Sequence, residues 1–226
     1  IASVIVEPIA GSTGVLPPPK NYLKRLREIC DKHDILLIFD EVISGFRVAF
    51  GGASEYYNIT PDIVTYGKIM GGGLPVGAYG AKREIMSFVS PDGPVYQAGT
   101  LSGNPVAMAA GIAQLSLCAQ ENFYEELEKK TTTFVEDINN FANTHELPVE
   151  LVSIGSIFWF SFNGKKRIAA ADQIDADMTS FNKLHHFLLN RGVYFGPSGY
   201  EVGFISSAHT TEQLAFSAEQ IKEGLE

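Results

Sequence analysis

The chain has 226 residues, of which 45% are hydrophobic and 19% are charged, and this is the composition of an ordinary globular protein. Its formal net charge of −9 argues against nucleic acid or an anionic membrane as the main partner. No apolar run reaches the roughly 18–20 residues that a membrane span needs. The two cysteines lack metal-ligand spacing and suggest no disulfide framework, so we expect a cytoplasmic protein.

The first part of the chain alternates strand and helix patterns. Residues 4–6 form an apolar strand pattern with no start methionine or leader before it, so we expect the chain to begin within a larger protein. Leu23, Leu26 and Cys30 recur at helical spacing, and the apolar run at residues 35–39 suits a parallel strand buried on both faces. Strand, helix and strand in this order predict a βαβ unit of an α/β fold.

Two more strands and a helix follow in the pattern. Residues 63–66 predict a short strand that is closed by Gly67 and Lys68, and residues 76–80 predict an edge strand. Asn104 and the proline after it are typical of a helix start, which predicts a helix over residues 106–117.

From about residue 120 the pattern changes to polar helices and an aromatic strand. We expect a helix over residues 121–146, a strand over 157–162, a helix over 181–189, and a last helix that begins with a Thr210 capping box. The sequence therefore predicts two domains: residues 1–119 in a mainly parallel-sheet domain and residues 120–226 in a smaller α+β domain. The aromatic residues of the strand are expected to lie in the core.

Asp40 and Lys68 each follow a predicted strand, at the edge where open α/β sheets bind ligands. The Asp40 carboxylate could pair with a cation such as a protonated pyridine nitrogen, or it could simply cap the next turn. A lysine amine is a nucleophile only when it is uncharged, and the glycines beside Lys68 would let a cofactor approach closely. The alternative for Lys68 is an ordinary surface lysine before a flexible turn.

Thr100, with Gly99 and Ser102, precedes the predicted helix at Asn104. Hydroxyls and free N–H groups before a helix can bind an anion such as phosphate, although they can equally serve as helix caps. The histidines show neither triad nor metal-ligand spacing, so we expect no metal site; they are His33, His145, His185, His186 and His209.

Taken together, three motifs resemble the class III, fold-type-I aminotransferases, which depend on pyridoxal 5′-phosphate (PLP), and the resemblance runs along the whole chain. The motifs are Val-Glu-Pro-Ile at residues 6–9, Leu-Ile-Phe-Asp-Glu-Val at 37–42, and Asp62-x5-Lys68 with its trailing glycines. Within that family, residues 40–47, 67–80, 96–105 and 196–204 are most similar to the glutamate-1-semialdehyde 2,1-aminomutases. The resemblance implies a PLP-transferase large domain followed by a smaller C-terminal domain.

The resemblance also implies roles for individual residues. Lys68 would hold PLP covalently and move protons, Asp40 would pair with the pyridine nitrogen, and Val42 would pack on the ring. Thr100, with Gly99, would reach the phosphate of the cofactor in the partner subunit, so the active sites would be shared within a homodimer. The cofactor would pass through its pyridoxamine 5′-phosphate form, and the substrate would be a small molecule.

Two positions distinguish the possible substrates. Many relatives that use glutamate carry a Glu at the position that corresponds to Ser12 of this chain, and that Glu pairs with an Arg at the position that corresponds to Glu201. A carboxylate at Glu201 would repel an α-carboxylate instead of gripping it. Glutamate 1-semialdehyde has no α-carboxylate, so the departure favours an aminomutase that forms 5-aminolevulinate, the precursor of tetrapyrroles.

Two alternatives to the aminomutase remain, an ω-amino acid aminotransferase and a non-catalytic subunit that keeps the fold. The family's N-terminal portion, with the phosphate loop and the second ring-stacking side chain, is not part of this sequence. We therefore expect the chain alone to bind PLP weakly and to show little activity.

Overall fold

The computed structural model describes residues 1–11, 14–15, 18–164, 168, 170–174 and 178–226. The chain splits into two compact units: Ile1–Pro8 with Pro18–Phe123, and Ile9–Pro17 with Tyr124–Glu226. The short segment Ile9–Pro17 thus belongs to the second unit, which the sequence did not indicate. The domain limits at residues 119 and 120 stay a prediction.

The first unit begins with the predicted βαβ arrangement. Strand β1 covers Ser3–Val6, helix α1 covers Tyr22–Lys32, and strand β2 covers Leu36–Glu41. β1 and β2 are parallel. Their core consists of buried apolar side chains from α1 and β2, namely Leu23, Cys30, Leu37 and Phe39. The parallel strand predicted at residues 35–39 is confirmed, but only one face of it, that of Leu37 and Phe39, is fully buried. The expectation that both faces are buried is wrong, because Leu36 on the other face is 37% exposed.

The sheet continues through three further elements. Helix α2 covers Gly52–Tyr57, strand β3 covers Ile63–Tyr66, and strand β4 covers Ala78–Ala81. β3 pairs parallel with β2, whereas β4 pairs antiparallel with β3, and the strand order is β1-β2-β3-β4. The result is the mainly parallel α/β sheet that the sequence predicted. Helix α2 was not predicted.

Two helices complete the first unit after the sheet. Helix α3 covers Arg83–Met86, and helix α4 covers Pro105–Cys118. The Asn104 side chain accepts hydrogen bonds from the N–H groups of Val106 and Ala107, both at 3.1 Å, so the predicted helix start is confirmed.

The second unit combines helices with an antiparallel sheet. Its elements are α5 (Phe123–Thr144), β5 (Glu150–Ile154), β6 (Ile157–Ser161), α6 (Thr179–Leu189), β7 (Gly203–Phe204) and α7 (Thr211–Leu225). The strand order is β5-β6-β7. The ring of Phe158 in β6 lies 5.4 Å from that of Phe134 in α5, which confirms that this aromatic residue of the strand lies in the core. Thr210 forms the predicted capping box. No helix in the described part of the chain is long and apolar enough to cross a membrane.

Candidate active site

The carboxyl ends of β1, β2 and β3 lie at one edge of the sheet because these strands are parallel. Asp40 is the fifth residue of β2 and lies opposite Thr65 in β3. Lys68 follows the last residue of β3, Tyr66, by two positions. The fold therefore brings Asp40 and Lys68 to the same edge of the sheet, which is where ligands bind in open α/β folds.

One oxygen of the Asp40 carboxylate is held by the protein. Oδ1 accepts a hydrogen bond from the Val42 N–H at 3.1 Å and another from the Thr65 hydroxyl at 3.3 Å. Oδ2 accepts none from the residues that the structure describes. The half-buried carboxylate is thus fixed by one oxygen, and its other oxygen is available to a cation.

Val42 lies beside the segment that connects β3 to Lys68. A Cβ atom built on the buried Gly67 would lie 3.3 Å from Val42 Cγ1, which is tighter than most contacts of this kind. A larger residue at position 67 would therefore push the Val42 side chain away. Gly67 keeps Val42 next to the end of β3, in the half-buried position expected of a residue that packs on a cofactor ring.

Lys68 begins a short 3₁₀ turn, Lys68–Gly71, and has a left-handed backbone with φ of 48°. For a residue with a side chain this conformation costs roughly 1–3 kcal/mol, and it tends to occur at functional sites. Helix α4 packs against the turn and supports it. The Lys68 amine is exposed and forms no hydrogen bond or ion pair within the described part of the chain.

Thr100 lies in an exposed turn before α4. The N–H of Ser102 donates to the carbonyl of Gly99 at 3.0 Å, which closes this turn. The side chain that caps α4 is Asn104 and not Thr100. The Thr100 hydroxyl has no hydrogen-bond partner among the described residues, so the capping alternative for Thr100 is wrong. Its predicted contact with phosphate stays a prediction.

Ser12 and Glu201 are the two residues on which the choice between the possible substrates depends. Ser12 lies outside the described residues. Glu201 belongs to the second unit, is exposed, and its N–H donates to the Ser198 carbonyl at 2.9 Å. Its role toward a substrate stays a prediction.

Glu41, the neighbour of Asp40, was not singled out from the sequence. Its side chain is fully buried, and its carboxylate accepts hydrogen bonds from four groups. The donors are the Ala53 N–H at 2.5 Å, the Ser54 N–H at 2.9 Å, the Ser54 hydroxyl at 2.5 Å and the Ser44 hydroxyl at 3.1 Å. Most of these donors come 12 or 13 residues later in the chain, so no local pattern could reveal them. The available signal was an acidic residue at the end of an apolar strand.

The pKa values of Tyr66 and Asp62, both in the first unit, are shifted by their surroundings. Burial raises the pKa of the Tyr66 phenol, and the nearby Glu41 carboxylate raises it further. Burial alone would also raise the pKa of Asp62, but hydrogen bonds from the Leu37 N–H and from Arg27, both at 2.7 Å, outweigh it. The net pKa of Asp62 is therefore below its ordinary value. This carboxylate ties the start of β3 to β2 and α1.

The family model for class-III aminotransferases matches residues 1–226, the whole chain. The chain belongs to the class III aminotransferase family. Enzymes of this family use PLP as their cofactor, which confirms the cofactor predicted from the motifs.

Solved structures of this family have the same fold. An ω-transaminase from Sphaerobacter thermophilus aligns with 100% of this chain at 29% identity and a TM-score of 0.91. A β-phenylalanine aminotransferase from Variovorax paradoxus aligns with 99% at 28% identity and a TM-score of 0.88. A glutamate-1-semialdehyde aminomutase from Pseudomonas aeruginosa PAO1 aligns with 100% at 23% identity and a TM-score of 0.86, and at this identity it shows the fold alone. The chain spans about half the length of these proteins, 51–52%.

The residues at the sheet edge fit PLP. The free Oδ2 of Asp40 can accept a hydrogen bond from a protonated pyridine nitrogen, and the unpaired amine of Lys68 can bond to an aldehyde. Both groups lie at the carboxyl edge of the parallel strands. An anionic acceptor and an unpaired amine at one edge are the donor and acceptor types that PLP requires.

Proposed function

We propose that this chain is the lysine-bearing half of a PLP-dependent aminomutase that converts glutamate 1-semialdehyde, (S)-4-amino-5-oxopentanoate, to 5-aminolevulinate for tetrapyrrole biosynthesis. The observation that supports its catalytic part is that Asp40, with one free carboxylate oxygen, and Lys68, with an unpaired amine, lie at the same edge of the sheet. Membership of the class III family supports PLP as the cofactor.

Besides Lys68, which would hold the cofactor covalently, four residues would bind it. When bound, PLP supplies an electron-withdrawing ring that stabilises negative charge on the substrate carbon. Asp40 would keep the ring nitrogen protonated, because a carboxylate next to this nitrogen favours its charged form. Val42 would cover one face of the ring and exclude water from it. Thr100 and the Gly99 N–H would bind the phosphate across the interface of a homodimer.

Lys68 would act on protons of the substrate. Its amine would move protons between C4′ of the cofactor and the substrate carbons, delivering one to C5 and taking one from C4, as general acid and general base. The amino group at C4 and the carbonyl at C5 exchange places in the overall reaction. Substrate and product are isomers, so the reaction needs no oxidant, reductant or second substrate. The left-handed turn at Lys68 would orient its amine for both proton transfers.

The choice of an aminomutase over an aminotransferase rests on Ser12 and Glu201, together with the motifs at residues 40–47, 67–80 and 96–105. An aminotransferase that uses glutamate must bind an α-carboxylate, and a carboxylate at Glu201 would repel it. The aldehyde carbon of glutamate 1-semialdehyde carries no charge, so this substrate would be tolerated. The cytoplasm is the compartment that we propose for the reaction.

An ω-amino acid aminotransferase is the second candidate. One observation favours it: the solved structures at 28–29% identity include an ω-transaminase and a β-phenylalanine aminotransferase, whereas the aminomutase structure is 23% identical. Both candidates would need Asp40 and Lys68 in the same roles, so the substrate has to decide between them.

The deciding experiment uses the purified full-length protein. With glutamate 1-semialdehyde and no amino acceptor, we expect 5-aminolevulinate to form at a steady rate. Efficient transfer from glutamate or an ω-amino acid to an external keto acid, with little 5-aminolevulinate, would favour the second candidate.

Two lysine variants test whether the chain is catalytic at all. Lys68→Ala should lower the rate of both reactions by about 10²–10⁴-fold, while Lys24→Ala, which changes another exposed lysine of the first unit, should leave them unchanged. Full activity of Lys68→Ala would contradict the catalytic assignment and favour a non-catalytic subunit.

A further inference from the structure

A buried carboxylate lies next to Asp40 in the chain but on the other face of the sheet. Because side chains alternate along a strand, Glu41 points away from the face on which Asp40 contacts Thr65. Its side chain is 0% exposed, although the proposed reaction gives it no part. A buried charge is retained only where donors compensate its lost hydration.

We propose that Glu41 is a positioning residue for the cofactor: it fixes the loop at residues 42–51 and thereby holds Val42 and Asp40 in place. This inference rests on the proposed roles of Asp40 and Val42 toward PLP. Glu41 itself would contact neither the cofactor nor the substrate.

The hydrogen bonds of Glu41 reach both ends of this loop. At its near end, the Ser44 hydroxyl donates to the carboxylate at 3.1 Å, and the Gly45 N–H donates to the Glu41 carbonyl at 2.9 Å. Beyond its far end, the Ala53 and Ser54 N–H groups donate at 2.5 and 2.9 Å. The Glu41 carboxylate therefore forms hydrogen bonds near both ends of the loop and holds the two ends together.

The backbone of Gly52 packs closely against the Glu41 carboxylate. Gly52 has φ of 69°, and a Cβ atom built there would overlap the Glu41 carboxylate. Glycine is the residue that adopts this backbone and leaves room for the oxygen. Helix α2 thus begins directly on Glu41, whose negative charge suits a helix N-terminus.

The effect on the cofactor site passes through the backbone of Val42. Its N–H donates to Asp40 Oδ1 at 3.1 Å, and its side chain lies against Gly67. If the loop loosened, this N–H would no longer hold the Asp40 carboxylate, and the free oxygen would lose its orientation toward the pyridine nitrogen. The ring nitrogen would then be protonated less completely.

This consequence can be measured on the lysine-bound cofactor. A protonated ring nitrogen disfavours a second positive charge on the nitrogen that joins Lys68 to the cofactor. Weaker pairing with Asp40 therefore moves the midpoint of the pH titration of the lysine-bound absorbance upward. A residue that merely stabilises the fold would leave this midpoint where it is.

The experiment compares three variants of the full-length holoenzyme with the wild type. Glu41→Gln places an amide NH2 group among N–H donors and should raise the dissociation constant of PLP about tenfold, because it disrupts hydrogen bonds to a buried charge. The titration midpoint should move upward. Ser54→Ala removes one donor and should move both quantities in the same direction by less. Glu55→Gln is the matched control: this exposed carboxylate also accepts a loop N–H, that of Gly51 at 2.7 Å, and its variant should resemble the wild type.

The outcomes separate this inference from the proposed function. If Glu41→Gln lowers the melting temperature but keeps the wild-type midpoint and PLP affinity, Glu41 only stabilises the fold and the inference is wrong. If Glu41→Gln does not fold, Ser54→Ala decides, and an unchanged midpoint in that variant overturns the inference. A wild type without lysine-bound absorbance, or a Lys68→Ala variant that retains it, would overturn the proposed cofactor roles and this inference with them.

Discussion

The carboxyl edge of the parallel sheet and the second unit differ in how fully the polar side chains named below are hydrogen-bonded. At the edge, Asp40 has a free oxygen and Lys68 an unpaired amine within the described part of the chain. In the second unit, the Trp159 N–H donates to the Gly199 carbonyl at 2.7 Å, and Asn139 forms two hydrogen bonds with the backbone of Leu151. An oxygen without a partner on a half-buried carboxylate such as Asp40 is typical of a binding site, whereas the satisfied polar groups of the second unit support its structure.

The largest effect is expected at Lys68. Lys68→Gly should lower activity by about 10²–10⁴-fold, because it removes the general base. It should also raise the free energy of unfolding by up to about 1 kcal/mol, since glycine adopts a left-handed backbone without strain. Activity is measured as 5-aminolevulinate formation and stability by denaturant unfolding of the full-length protein.

Lys68→Ala is the matched control for this stability gain, because alanine keeps the Cβ atom and therefore the strain. Equal stability of the two variants would show that the left-handed turn at Lys68 stores no strain. The sheet edge would then differ less from the second unit than we propose.

The next effect concerns Asp40. Asp40→Asn should weaken PLP binding by about 2–5 kcal/mol, because the neutral amide leaves the protonated ring nitrogen without its charge partner. The change is measured as the dissociation constant of PLP. Asp31→Asn is its control, since Asp31 is an exposed carboxylate paired with Arg27 at 2.7 Å. Equal PLP affinity in both variants would argue that Asp40 only caps the turn.

A core variant of the second unit should lower stability without changing the cofactor site. Ile138, in α5, is fully buried, and Ile138→Ala should lower the free energy of unfolding by about 2–5 kcal/mol through the cavity that it creates. The titration midpoint of the lysine-bound cofactor should not move. Glu136→Ala, at an exposed neighbouring position of the same helix, should leave stability nearly unchanged. If Ile138→Ala moved the titration midpoint, fold stability and the protonation of the cofactor would not be controlled by separate parts of the molecule.

The pairing of Asp62 with Arg27 predicts a pH dependence of stability within the first unit. The pKa of Asp62 is lowered in the folded state, so its contribution is present above the unfolded value of about 3.9 and is lost as pH falls through the folded value. The stability difference between the wild type and Asp62→Asn should therefore be constant near neutral pH and shrink below about pH 4. Denaturant midpoints measured across this range test the sign. A difference that grew as the pH fell would contradict it.

The sequence predicts those features that depend on neighbouring residues. The apolar run that became β2, the Asn104 cap of α4 and the Thr210 capping box each leave a local pattern. Helix α2 leaves none, because it has six residues and begins on the carboxylate of Glu41, twelve residues away from Ala53. The same applies to Thr65, which contacts Asp40 only because of the register between β2 and β3.

Thr65 offers the smallest and most specific test of the sheet edge. Its hydroxyl donates to Asp40 Oδ1 at 3.3 Å, a long hydrogen bond that we expect to contribute no more than about 0.5–1.5 kcal/mol. Thr65→Val keeps the shape of the side chain and should raise the dissociation constant of PLP about threefold. Thr65→Ser keeps the hydroxyl and should restore wild-type affinity. If valine and serine at position 65 give the same PLP affinity, the Val42 N–H alone orients the Asp40 carboxylate. The loop that Glu41 holds would then be the main element that positions Asp40 toward the cofactor.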